Sequence, residues 1–245
     1  MIKFFRHIRK SLLMENKTSK YFKYAIGEII LVVIGILIAL SINNWNEERK
    51  DRIIENTLYR TLIISLESDL EDVTDKIAIM QSALDAQDIF IKNSFDDIKA
   101  EFDISQIGKL LINLKSSSRS FFPNYGFYNK ISNNNQIDLI QSDKLQMKII
   151  ELYEQYYKRY NDLDLNIEHQ NIFSLEINYF SKIRHLVSDN GWNDLTYDLI
   201  EEHYPILQDE TRKINGLTYG THDAMLNCKA QIELLLEDLR NVITE

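Results

Sequence analysis

The chemistry of this chain would have to come from its five histidines, its one cysteine and its many carboxylates. A metal-binding helix needs two histidines four residues apart, because that spacing brings both imidazoles to one face. His7, His169, His185, His203 and His222 contain no such pair. Glu201-Glu202-His203 and His222-Asp223 are contiguous, but neighbours on a helix face different directions. They read as solvated or core groups. The sequence also lacks GxSxG, GxxxxGK and GxGxxG, so it shows neither a nucleophile elbow nor a phosphate-cradling loop. The lone Cys228 excludes an internal disulfide and falls on an apolar helical stripe, which reads as a buried, unreactive thiol. Carboxylate pairs such as Glu201-Glu202 and Asp209-Glu210 are ordinary on the wet faces of an acidic helical protein. The expectation is a protein without catalytic residues, cofactor or metal, and not an enzyme.

Aromatic residues are the remaining candidates for recognition. Tyr153, Tyr156, Tyr157 and Tyr160 cluster within two turns and read as core tyrosines with hydroxyls at the rim. The loop around Arg119, Phe121, Phe122 and Tyr125 reads as more exposed, and large exposed aromatics mark contact surfaces. It is the candidate partner-binding loop.

These residues must be positioned by helices. Seven glycines and two prolines in 245 residues leave few turns. Ile63, Leu66, Leu70, Val73, Ile77, Met80, Leu84, Gln87 and Ile91 recur in steps of three and four. Charged positions such as Glu67, Asp69, Glu71, Asp72 and Asp75 lie between them. Three more seams follow. Leu145, Ile149, Leu152, Tyr156, Tyr160 and Leu163 form one, and Ile172, Leu175, Tyr179, Ile183 and Leu186 the next. Met225, Cys228, Ile232, Leu235, Leu239 and Val242 form the last. Four amphipathic helices predict an all-α antiparallel bundle with coiled-coil-like packing. Shorter helices are expected at Ile104–Leu114, Phe127–Asn133 and Ile137–Gln141. Turns are expected at Pro123, Asn133–Asn135, Asn190-Gly191 and Asn215-Gly216 with Gly220.

The N-terminal part is different in kind. AIGEIILVVIGILIALSI, residues 25–42, has Glu28 as its sole ionisable group, and spanning a bilayer takes about 20 residues. Tyr21, Tyr24 and Trp45 flank it as interface anchors. Residues 1–45 carry seven cations and two glutamates, a net +5; taking that from the chain's −9 leaves −14 for residues 46–245. Lys and Arg are retained on the cytoplasmic side, so the expectation is a single-pass anchor at residues 24–45 with the C-terminal domain outside. A cleaved signal peptide competes, but its apolar core is shorter and ends in a small-residue site, which only Ala39-Leu40-Ser41 resembles. Residues 1–23 read either as a basic amphipathic helix on the inner leaflet, with Met1, Phe5, Ile8 and Leu12 on one face, or as a disordered basic tail. Glu28, Gly35 and Ala39 are candidates for helix contact in the membrane, through an intramembrane carboxylate and a small-xxx-small pair. Glu28 near the interface can equally protonate or snorkel. The acidic body argues against nucleic acid as a partner.

KYFKYAIGEIILVVIGILIALSINNWNE, preceded by MIKFFRHIRKSLL, resembles the N-terminal signature of an uncharacterised family of single-pass proteins. These come from Gram-negative bacteria of the Bacteroidetes type. GFYNKISNNNQIDLIQSDKLQMKIIELYEQYY is similar to that family's second block, where a Gly-containing turn usually stands in place of Asn133–Asn135. The resemblance implies an inner-membrane protein with a periplasmic domain and implies no activity. The functional expectation is an interaction or scaffold subunit, with partners met through the bilayer helix, self-association or the helical domain. A ligand-sensing bundle that signals through a membrane partner is the alternative, and an enzyme the third reading.

Overall fold

The computed structural model describes residues 18–183 and 195–244, and every regular element among them is helical. Helix α1 runs Thr18–Lys92. Its first part belongs to one compact unit, residues 1–56, and the remainder to a second, residues 57–245.

In the first unit the side chains from Ile29 to Ile42 are exposed on every face of α1. This helix is long and apolar enough to cross a membrane. A soluble surface helix would show one apolar stripe rather than an apolar circumference. Trp45, Gly35 and Ala39 are exposed and Glu28 is partly buried. A Cβ at Gly35 would meet nothing within 4 Å. Tyr21 and Tyr24 stand within α1, and their side chains lie outside the described residues, as does the expected amphipathic segment before Thr18.

In the second unit α1 ends at Lys92 and short helices follow: α2 (Phe95–Glu101), α3 (Ile104–Lys115) and α4 (Tyr125–Asn133). Ser94 and Asp103 begin α2 and α3 with reciprocal capping boxes, to Asp97 and Gln106, satisfying amide donors that a helix start leaves open. A rod then runs Asp143–Ile183. It comprises α5 (Asp143–Glu151), a π-helical segment (Leu152–Tyr157), α6 (Lys158–Asn171), a second π segment (Ile172–Phe180) and α7 (Ser181–Ile183). The last helix is α8, Tyr197–Thr244.

Among the described residues three long helices therefore fill the place of the four expected, because the second and third seams, as far as Ile183, belong to one rod. Their directions follow from contacts. Ser65 lies beside Tyr153 and Asp69 beside Tyr157, so α1 and the rod run parallel. Gln87 meets Thr218 and Glu67 meets Arg240, so α8 runs antiparallel to α1. Parallel helices need a long return connection, and α2 to α4 supply it.

Two apolar cores join these elements. Tyr59, Leu62, Leu66, Val73 and Met80 pack with Ile149, Tyr153, Tyr157 and the stripe Met225–Leu239. Ala86 and Phe90 pack with α3, with Ile167, Leu175 and Tyr179, and with Leu199–Ile214. Each fully buried leucine contributes about 1.5–3 kcal/mol by leaving water. The first seam is buried or partly buried along its whole length, as expected. The second changes register. A π turn holds one residue more than an α turn, so the buried line passes from Leu152 to Tyr153, Tyr157, Tyr160, Asp164 and Ile167. Tyr156 and Leu163, expected in the seam, are left partly buried at its edge, and Ile172 faces outward. Val242 is exposed as well.

Asn215-Gly216 and Gly220 do not form a turn; they lie within α8, as does Pro205. Tertiary contacts override local preference there. The buried Gln87 amide donates to Thr218 Oγ1 at 2.9 Å and accepts from Asn215 Nδ2 at 3.0 Å, which holds both residues in helical register. The Asn133–Asn135 turn does form, with Asn135 left-handed at φ 55°. Asparagine tolerates this conformation better than other side chains, so it closes the turn without a glycine. Tyr125–Asn133 begins slightly earlier than expected. Only a 3₁₀ turn, Gln136–Leu139, forms in the third short segment. Ile183's side chain, Leu186 and Asn190-Gly191 lie outside the described residues.

Candidate functional site

The candidate loop, residues 119–124, leaves α3 through a 3₁₀ turn at Ser116–Ser118 and enters α4 after Asn124. Pro123 has no N–H and restricts helix on its N-terminal side. Asn124 caps α4 by accepting from the Gly126 amide at 3.2 Å. The chain between them is tied down through its backbone. The Phe121 amide donates to Tyr160 Oη (2.7 Å), the Phe122 amide to Asp72 Oδ2 (3.2 Å) and the Asn124 amide to Asp69 Oδ1 (3.0 Å). Every N–H from Phe121 to Asn124 thus binds a side chain of α1 or the rod.

Asp69 is the centre of this clamp and only 3% exposed. Its other oxygen accepts from Tyr157 Oη at 2.8 Å. Burial pushes the Asp69 carboxyl above its ordinary range. The Tyr157 and Asn124 hydrogen bonds oppose the shift in part, and the nearby Asp72 charge adds to it. Asp164 is also held high by burial, with the Ser120 and Tyr160 hydroxyls working the other way. A buried carboxylate therefore stands beneath each end of the loop.

Aromatic rings complete the seat. Phe121 packs edge-on to Tyr157 with centroids 5.8 Å apart, and Tyr128 stacks on Tyr153 at 4.3 Å. Tyr125 lies 5.9 Å from both Tyr153 and Tyr157, and its hydroxyl accepts from Asn161 Nδ2 at 2.9 Å. Burial pushes the Tyr125 hydroxyl up to about 12 and drives those of Tyr153, Tyr157 and Tyr160 higher still. All four stay protonated at neutral pH and act as hydrogen-bonding groups.

The structure divides the four candidate loop residues. Phe121 is 1% exposed, so it is a core anchor and not a contact residue. Tyr125 is partly buried. Phe122 is 77% exposed and Arg119 is exposed as well. Arg119 stands between two open clefts of about 400 and 340 Å³, the first reaching Lys115 and Glu168 and the second Lys76 and Ser82. Placing Asp69 among the charged positions between the seam residues missed the clamp. The available signal was spacing, since Leu62, Leu66, Asp69 and Val73 continue one helical line in steps of four, three and four.

Other polar groups stand apart from this site. Cys228 is buried, 3.6 Å from the Tyr156 carbonyl, and burial pushes its thiol up to about 12. His222 is buried and its pKa lowered by desolvation. His169 is exposed, His203 is partly buried, and His7 and His185 lie outside the described residues. Among the described residues no three His, Cys, Asp or Glu side chains are grouped to hold a metal ion.

No curated protein and no solved structure matches the chain. A model described as a family of unknown function (DUF6090) matches residues 28–186, more than half of the 245, and the chain belongs to that family.

Proposed function

We propose that this chain is a membrane-anchored interaction or scaffold subunit that engages a protein partner through the clamped loop at Arg119 and Phe122. The observation that carries this reading is Phe122, a large apolar side chain 77% exposed on a backbone whose amides are bound on both sides of it. An aromatic held rigidly loses little conformational freedom on binding, which is how hot-spot residues gain their weight.

In this reading residues 24–45 form a single-pass anchor and residues 46–245 a helical domain on the far side. Support comes from the apolar circumference of α1 and from the cations that precede it. The membrane is a bacterial inner membrane, the 1–23 segment cytoplasmic and the domain periplasmic, as the sequence resemblance implies. Self-association through the anchor belongs to the same proposal.

The test is co-purification from native membranes in mild detergent, with Phe122→Ala and Arg119→Ala beside wild type. Partner recovery should fall at least tenfold in Phe122→Ala at unchanged thermal stability. Equal recovery would remove the loop from the interface. A reporter active only outside the cytoplasm, fused after Glu245, should be active.

The alternative, a ligand-sensing domain, draws on a separate observation, a cleft of mixed polar and apolar lining between the rod and α8.

A further inference from the structure

We propose that the cleft between α6 and α8 binds a free α-amino acid with an apolar side chain, its carboxylate on Arg159 and its ammonium on Asp223. This does not rest on the loop reading, since no residue is shared between the two.

The cleft has a volume of about 330 Å³. Its size suits a single small ligand. Tyr156, Arg159 and Leu163 form one wall and Gly220, Asp223 and Asn227 the other. Arg159 and Asp223 therefore place opposite charges on two different helices that line one hollow. Neither is joined in a salt bridge to another described residue. Burial lowers the pKa of the neighbouring His222, with the Asp223 charge opposing that shift. A carboxylate and an ammonium on one small molecule would match both groups. The guanidinium fork takes a carboxylate with two parallel hydrogen bonds. Asn227 donates its side-chain amide to the Asp223 backbone carbonyl at 2.9 Å.

The walls show why the space exists. The π segment Leu152–Tyr157 turns Tyr157 into the core and leaves Tyr156 at the rim, where it and Leu163 offer apolar surface. Such π segments recur at functional sites. Gly220 lies in the middle of a long helix, where alanine would be more stable. A Cβ there would meet nothing within 4 Å, so packing inside the chain does not demand glycine. A larger side chain at this position would stand in the cleft.

The test uses the full chain in detergent, titrated with each of the twenty L-amino acids by calorimetry and thermal shift. The best binder is then compared with its amide, which lacks the carboxylate, with its N-acetyl form, which lacks the ammonium, and with its homodipeptide. One or more apolar amino acids should bind and raise the melting temperature. The amide and N-acetyl forms should each bind at least tenfold more weakly, and so should the dipeptide, whose second residue outgrows the cleft. Arg159→Gln and Gly220→Leu should each weaken the best binder at least tenfold at unchanged helical content, whereas Phe122→Ala should bind like wild type. Binding of none of the twenty overturns the proposal. So does binding that survives both cleft substitutions, or that is equal for the amide and N-acetyl forms.

Discussion

Replacing Tyr157 with Phe removes one hydroxyl and keeps the ring, so its effect isolates the bond to Asp69 Oδ2. Rings of Phe121, Tyr125 and Tyr153 still surround the position. The Asp69 carboxylate would keep the Asn124 amide as its remaining donor at the loop. A hydrogen bond to a charged group contributes about 1.5–3 kcal/mol, and that is the expected loss at pH 7. The pH dependence has a definite sign. Asp69's folded pKa is raised above its ordinary 3.8, so the folded state holds its proton longer than the unfolded chain does. Stability at this group is therefore greatest below 3.8, falls as pH rises through the folded pKa, and is level above it. Tyr157→Phe deletes one of the two interactions that favour ionised Asp69. The variant should approach wild type near pH 3, where a neutral carboxyl receives only an ordinary hydrogen bond of about 0.5–1.5 kcal/mol, and should diverge as the carboxylate forms. Denaturant unfolding of the full chain in detergent, followed by near-ultraviolet circular dichroism from pH 3 to 8, measures this. In an Asp69→Asn background the pH-dependent part should vanish. A loss under about 0.5 kcal/mol at pH 7, or one independent of pH, would refute a buried, Tyr157-bound carboxylate.

Gly216 is helical and open to solvent, so Gly216→Ala should raise stability by about 0.5–1 kcal/mol in the same unfolding assay. A loss would restore the turn that Asn215-Gly216 suggests. In native membranes, Glu28→Gln and Gly35→Leu should each reduce crosslinking through the N-terminal apolar helix by an amount equivalent to about 1–2 kcal/mol. Identical crosslinks in all three proteins would reduce that helix to an anchor.

Much of this architecture is legible one residue at a time. The all-helical class, the apolar circumference of α1, the seam from Ile63 to Ile91 and the breaks at Pro123 and Asn133–Asn135 follow from periodicity and backbone preference. These are local properties, carried by side-chain type at fixed spacing. The buried state of Cys228 follows from the same stripe that holds Met225 and Ile232.

What tertiary structure alone decides begins where two helices share a residue. Nothing local inserts an extra residue at Leu152–Tyr157; packing against α1 and α8 selects the π turn, because it brings Tyr153 and Tyr157 inward together. That single change of register puts Asp164 in a core position, leaves Tyr156 and Leu163 at the rim of a cleft, and sets Tyr157 against Asp69. Asp69 looks like a solvated charge because charge prefers water, and it is buried because the amide of Asn124 and the hydroxyl of Tyr157 replace that water. The same holds for Asn215-Gly216, whose turn preference yields to the amide of Gln87, 128 residues away in the chain. Sequence decides which segments become helices; partners brought together by the fold decide which face of each helix is inside.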